Sequence, residues 1–283
     1  MNLITNALIC PVCGAPMTRT DDGKSLTCAG GAKGNHARRR HCFDFASSGY
    51  VNLASPSQSL SGDSKQAVAS RTRFLEAGYY APIRDALCDA VKTYAQGGLA
   101  VDAGCGEGYY TAAVAGVADA VIGFDLSKSG IDAAAKRAKR GGLTNALFAV
   151  AGIYSMPLVD SCADAVLSLF APCAEEEFLR VLRPGGILVA VGAGEDHLLG
   201  LKKAIYDEVY KNADRADMPK TLLPIEKKEL RFNIALSDNA AIRDLFSMTP
   251  YYYRTSERDL AKLEALSELR TEVHVFVEVY RKP

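Results

Sequence analysis

Over the last two thirds of the chain, short apolar runs alternate with stretches of helical periodicity. Residues 99–104 (LAVDAG) read as a strand that enters a glycine turn and then a helix from about Glu107. DAVIGFD (119–125) is a second strand, with a helix predicted over 127–140. ALFAV and ADAVLSLF give a third and a fourth strand. A helix carrying Glu175 to Leu182 follows, and Arg183-Pro184-Gly185-Gly186 stops it ahead of a fifth strand, ILVAVGA. Continuously apolar strands separated by helices require a parallel sheet covered on both faces. Near the C-terminus, EVHVFVEVY alternates apolar and polar residues with no helix after it, the pattern of an antiparallel closing strand. Two helices precede all of this. In the second, Ile83, Ala86, Leu87, Ala90, Val91 and Tyr94 form one apolar stripe. The fold class is α/β.

The first 48 residues have a different texture. They are polar, carry Gly30, Gly31 and Gly34, show no amphipathic helix, and cannot bury a core unaided. Residues 49–62 include a Ser/Pro/Gly-rich stretch that reads as a linker. Four of the eight cysteines fall in the first segment, at 10, 13, 28 and 42. Cys10-Pro-Val-Cys13 and Cys28 supply three soft ligands, and His36, His41 or Cys42 can supply the fourth of a closed structural zinc site. The scattered Cys88, Cys105, Cys162 and Cys173 read as small core residues.

Charge changes the picture only when it is divided. The chain has 33 basic and 33 acidic residues, which argues at first against a nucleic-acid partner. Residues 1–48, however, hold six basic and three acidic side chains, leaving 27 and 30 for the rest. Arg38, Arg39 and Arg40 form a candidate phosphate-contacting patch on the zinc module. No apolar run approaches the ~18 residues of a membrane helix, and no signal peptide is apparent, so a soluble, cytoplasmic protein is expected.

The richest chemistry lies between the first strand and its helix, in Asp102-x-Gly104-x-Gly106-Glu107-Gly108-Tyr109. Glycines allow close approach of backbone to ligand, and the helix N-terminus favours an anionic group. Asp125 ends the second strand, where a carboxylate can accept hydrogen bonds from both ribose hydroxyls of an adenosyl group, and Leu126 follows it. The spacing G-x-G-x-G departs from the dinucleotide pattern G-x-G-x-x-G. With Asp102 ahead of it, it resembles the first motif of class I S-adenosylmethionine-dependent methyltransferases. At the end of the fourth strand, Phe170, Pro172 and Cys173 are candidates for the wall of a substrate pocket, with Phe170 stacking on a splayed-out base. That stretch carries no acid, and Glu175 is the nearest one.

Several strings taken together extend the resemblance: His41-x-Phe43-Asp44, GYVNL at 49–53, Gly62-Asp63, Arg73-Phe74-Leu75-x-Ala77-Gly78-x-Tyr80, GCGEGYYT at 104–111, Ala171-Pro172-Cys173, His197-Leu198 and Met248-Thr249-Pro250. The chain resembles, along essentially its whole length, the RlmA family of bacterial 23S rRNA (guanine-N1-)-methyltransferases. The resemblance implies a Rossmann-like, mostly parallel seven-stranded sheet with an N-terminal zinc ribbon. It divides the chain into a zinc module (1–48), a linker (49–62) and a methyltransferase domain (63–283). It also implies methylation of guanine N1 in a 23S rRNA hairpin near the peptide exit tunnel, and a homodimer. Structural zinc would be held by Cys10, Cys13, Cys28 and His41, although extra residues between Cys28 and His41 keep Cys42 in competition. Contacts to S-adenosylmethionine would fall on Tyr80, Gly106 to Tyr109 and His197.

Overall fold

The computed structural model describes residues 2–30, 40–55, 62–95, 97–212 and 219–283. A short helix, α1 (Asn2–Ala7), opens the chain. It is followed by a three-stranded antiparallel sheet of β1 (Met17–Arg19), β2 (Ser25–Cys28) and β3 (Cys42–Asp44). Next come β4 (Val51–Asn52), α2 (Lys65–Glu76) and α3 (Ala81–Tyr94). The alternating core then runs β5 (Leu99–Ala103), α4 (Tyr109–Val114), β6 (Ala120–Asp125), α5 (Lys128–Arg140) and β7 (Ala146–Val150). It continues with β8 (Ala163–Leu169), α6 (Glu175–Val181), β9 (Leu182–Ala193) and α7 (Leu199–Ile205). The chain closes with β10 (Leu223–Leu236), α8 (Asn239–Ser247), α9 (Glu257–Glu264) and β11 (Leu269–Arg281).

The main sheet has eight strands in the order β10-β11-β9-β8-β5-β6-β7-β4, where seven were expected. The eighth is β4, from the stretch read as linker, which pairs in parallel with β7 through Val51 and Asn52. Strands from β4 to β9 run parallel, and β11 and β10 run antiparallel at the other edge. The Arg183–Gly186 turn does not precede β9. Ala163 faces Leu182 and Ala165 faces Ile187, so the turn residues bulge out of a ladder that has already begun, with Gly185 at φ +77°.

Side-chain alternation sends successive residues to opposite faces of the sheet. Val121, Leu167 and Val189 meet the Ile83, Leu87 and Val91 stripe of α3 on one face. Val101, Ile122 and Val166 meet Phe178 and Val181 of α6 on the other. That second face is also covered by Ile4, Leu8, Met17 and Leu26, so the N-terminal segment shares its core with the sheet. Leu8 bridges Leu158, Ile9 N–H donates to the Pro157 carbonyl (2.9 Å), and Val159 N–H donates to the Ala7 carbonyl (2.8 Å). α1 makes this contact; the sequence had shown no helix there because six residues carry too little periodicity to read. Serine caps start α2 and α5: Ser64 and Ser127 accept from the N–H groups of Ala67 and Gly130. Among the described residues no helix is long and apolar enough to cross a membrane.

Candidate cofactor loop and metal centre

In the N-terminal segment, Cys10, Cys13, Cys28 and His41 bring their ligand atoms within 4.8 Å of one another. Cys13 Sγ and Cys28 Sγ are 3.7 Å apart, and His41 Nδ1 is 3.5 Å from both Cys10 Sγ and Cys28 Sγ. Tetrahedral zinc with its usual bond lengths requires edges of about 3.8 Å between sulfurs and about 3.6 Å between sulfur and nitrogen. These three separations lie close to the edges of such a tetrahedron. A tight turn presents the first pair: Gly14, at φ +72°, donates to the Cys10 carbonyl (2.8 Å), and Cys10 N–H donates to Ala15 (2.8 Å). Burial raises the Cys28 thiol, but the N–H groups of His41 and Gly30 outweigh it and hold the thiol down at about 6, favouring the thiolate that binds metal. Cys42 does not join. It is exposed, and its thiol faces Asp44 (3.8 Å) on the opposite side of the strand from His41. His36, Arg38 and Arg39 lie outside the described residues; Arg40 is exposed.

The second site lies where β5 and β8 are neighbours and the chain order of the sheet reverses, the position at which doubly wound sheets bind ligands. Gly104 and Cys105 N–H groups both donate to the Phe124 carbonyl (2.9 and 3.0 Å), folding the loop over the end of β6. Gly104, Gly106 and Gly108 all have positive φ. Gly108 has a second reason: a Cβ there would sit 2.7 Å from that of Ala134, so the loop and α5 could not close. Asp125 accepts from Gly106 N–H at one oxygen (2.9 Å) and from Ser127 N–H at the other (2.7 Å). Each oxygen keeps a lone pair for a further donor. Burial raises the affinity of Asp125 for its proton; these two N–H groups oppose it. Half-buried Leu126 comes next.

Not every acid of the motif faces a ligand. Asp102 is buried and accepts the Thr111 hydroxyl (2.5 Å), tying β5 to α4, and burial pushes its carboxyl up to about 7. Glu107 is buried in an ion pair with Arg137, which also pairs with Glu76 (3.1 Å). Tyr109 lies between Arg84 and Arg137, whose guanidiniums stand 5.8 and 5.7 Å from its ring centre. No motif had marked Arg84 or Arg137, because their roles arise only when α3 and α5 meet the loop.

Across the same crevice stand three rings brought from distant parts of the chain. Phe170 and His197 stack at 5.9 Å, Tyr80 and His197 lie 6.1 Å apart, and Tyr80 and Phe170 lie 6.4 Å apart. Phe170 follows β8 with φ +51° and is 45% exposed, a strained and solvent-facing aromatic after a strand buried at all but one position. A Cβ on Gly104 would sit 3.2 Å from Ala171, so this wall and the glycine loop touch. His197 Nδ1 accepts the His274 backbone N–H (3.3 Å), which leaves the ring proton on Nε2, 3.4 Å from the Tyr80 hydroxyl. Burial, and then the nearby His274 and Lys202, lower His197 to about 4, so it is neutral at physiological pH. Half-buried Cys173 packs towards the opposite core cluster, and Pro172 is exposed. Glu175 is occupied: one oxygen accepts the Lys220 and Thr221 N–H groups at 2.7 and 2.6 Å.

A glycine loop over the switch point of a mostly parallel sheet, with an antiparallel edge, defines the class I methyltransferase fold. A methyltransferase-domain family model matches residues 96–244. A solved structure of a candidate type II methyltransferase from Anaeromyxobacter dehalogenans shares the fold at 20% identity, with a TM-score of 0.50 over 69% of this chain and 95% of that one. The chain is 31% identical over 269 residues to the 23S rRNA (guanine(748)-N(1))-methyltransferase of Streptomyces fradiae, covering 92% of this chain and 90% of that protein. It is 30% identical over 288 residues to YxjB of Bacillus subtilis strain 168, a candidate 23S rRNA (guanine-N(1)-)-methyltransferase, with 96% of each covered. The chain belongs to the family of 23S rRNA (guanine-N1-)-methyltransferases.

Proposed function

We propose that this protein transfers a methyl group from S-adenosylmethionine to N1 of a guanine in a hairpin loop of 23S rRNA. The observation that carries the proposal is Phe170, held exposed in a strained conformation beside Tyr80 and His197, next in the chain to Ala171, which lies against the glycine loop. RNA bases are read when splayed out and stacked on aromatic rings, and Phe170 offers such a platform with exposed Pro172 near it, while Cys173, also expected in this wall, packs towards the core. The donor set fits the cofactor: Asp125 retains lone pairs for two ribose hydroxyls, and the glycines give the loop the positive φ its turn requires. Gly104, Gly106, Gly108, Leu126 and Tyr109 would complete that cradle, while Asp102 and Glu107 hold its shape through Thr111 and Arg137.

When bound, the cofactor supplies an electrophilic methyl. The protein's part is to align guanine N1 with it and to exclude water. His197 donates through Nε2 and has no free lone pair for the N1 proton, so it does not serve as the base. We assign zinc to the Cys10, Cys13, Cys28 and His41 cluster in a structural role. Arg40, with Arg38 and Arg39, would contact phosphate, residues 1–48 serving docking and 63–283 chemistry. The setting is the cytoplasm, and we propose a homodimer. The test is incubation of unmodified 23S rRNA transcript with labelled S-adenosylmethionine, followed by nucleoside mass spectrometry. Label in 1-methylguanosine is expected, with at least a tenfold loss for Phe170→Ala; label in any other nucleoside, or only in small molecules, sinks the proposal.

A further inference from the structure

Arg71 lies on α2, outside every motif of the sequence, yet its guanidinium reaches the cofactor loop. Its Nη1 would lie 3.5 Å from a Cβ placed on Gly106, and its side chain is only 24% exposed. Three carboxylates surround this spot: Asp63, Glu107 and Asp125. Burial raises the proton affinity of Asp125, Glu107 and the Tyr110 hydroxyl, and the charge of Arg71 opposes that in each case, so the cation stands within electrostatic reach of all three. Glu107 already has Arg137, and the ion partner of Arg71 is Asp63. Asp63 is held in place by its own backbone: its carbonyl accepts the Ser127 hydroxyl (3.2 Å), and Gly62 packs so closely on Ser127 that a Cβ would fall 2.5 Å from the serine Cβ. The segment 62–63 is thus strapped to the loop that follows Asp125. The Tyr110 hydroxyl is buried nearby without a hydrogen-bond partner.

An adenosyl amino acid bound with its ribose at Asp125 carries its own carboxylate into this acid-rich crevice, where it needs a cation. We propose that Arg71 binds the α-carboxylate of the cofactor, and that Asp63 occupies the guanidinium until that carboxylate arrives. This rests on the cofactor proposed above. Arginine matches a carboxylate with paired N–H donors, and exchanging one carboxylate for another costs little desolvation.

The test compares two ligands by calorimetry: S-adenosylhomocysteine, which has the amino-acid end, and 5′-methylthioadenosine, which lacks it. Arg71→Met is expected to weaken S-adenosylhomocysteine by roughly 10- to 100-fold, the range of a charged hydrogen bond, and to leave methylthioadenosine within about twofold. Asp63→Asn removes the resident anion and is expected to hold or tighten S-adenosylhomocysteine, which also guards against a folding failure in the first variant. Equal losses of both ligands in Arg71→Met, no loss of either, or a tenfold loss of S-adenosylhomocysteine in Asp63→Asn overturns the assignment. Failure of the unaltered protein to bind either ligand would instead remove the cofactor reading itself.

Discussion

The N-terminal module and the sheet body solve the same problem by different means. The body buries five consecutive residues in β5 and packs both faces of a long sheet, so apolar area alone closes it. The module has strands of three or four residues, and β1 and β3 leave most of their positions exposed or half-exposed. Its four candidate ligands converge within 4.8 Å, and it lends Ile4 and Leu8 to the sheet face. The same residue type shows the contrast. Burial pushes the thiols of Cys88 and Cys162 in the body, and of Cys10 in the module, up to about 11, whereas hydrogen-bond donors draw Cys28 down to about 6. The cysteines of the body are dispersed through apolar packing, whereas Cys10, Cys13 and Cys28 converge on His41. A cavity of about 270 Å³ lined by Ile4, Leu8, Arg19, Phe45 and Leu147 marks the seam between the two regions.

The largest expected effect separates the two regions outright. Chelation, or Cys28→Ser, should unfold the module and lower rRNA methylation by at least ~100-fold, because metal binding and folding are coupled in such small units. Binding of S-adenosylhomocysteine should stay within about threefold by calorimetry. A matching loss of both would mean that the body, too, depends on the metal.

Leu158→Ala attacks the seam. Leu158 is fully buried and bridges Leu8, so its truncation should cost about 2–5 kcal/mol in denaturant unfolding. If it costs less than about 1 kcal/mol, the shared core contributes little and the regions are more independent than their packing indicates.

Gly108→Ala tests the body alone. The new Cβ would sit 2.7 Å from that of Ala134 at φ +78°, so a loss of about 1–3 kcal/mol is expected, together with weaker cofactor binding and an unchanged metal content. Metal loss in this variant would contradict the division drawn above.

The smallest effect is in pH. Asp102, raised from 3.8 to about 7 by burial, stabilises the fold most at low pH and loses that contribution as pH rises through 7. His197, lowered from 6.5 to about 4, does the reverse: its contribution is complete above 6.5 and is lost as pH falls through 4. Between about 4 and 6.5 the two oppose each other. Melting temperature against pH should therefore tilt downward with rising pH in His197→Gln and upward in Asp102→Asn. Parallel profiles for both variants would exclude these two groups as the source.

Much of the body was legible because its strands are buried on both faces and therefore read as unbroken apolar runs. The edge strand β10 was not legible: its first seven positions are exposed, and LPIEKKE carries no alternation to find. β4 escaped for another reason, since two residues joining a sheet edge leave no period at all. Of the candidate site, the glycine loop and Asp125 are contiguous with their strands and were visible. Phe170 was marked only by its position at the end of an apolar strand. Arg71, Arg84 and Arg137 were invisible, because nothing local distinguishes an arginine that reaches a loop from one in solvent.

What the order of residues settled was whatever depends on near neighbours: strand and helix periods, the glycines of a turn, a Cys-x-x-Cys pair, and the strings that mark the family. Which residue completes the Cys10, Cys13 and Cys28 cluster was a tertiary decision. His41 and Cys42 are adjacent, but a strand sends them to opposite sides, and only the pairing of β2 with β3 determines which side meets Cys10 and Cys28. The same holds for Tyr80, Phe170 and His197, which are separated along the chain and meet only because the start of α3 packs against the ends of β8 and β9. Contacts at long sequence separation are purchased by the packing of the whole core, and no local pattern records them.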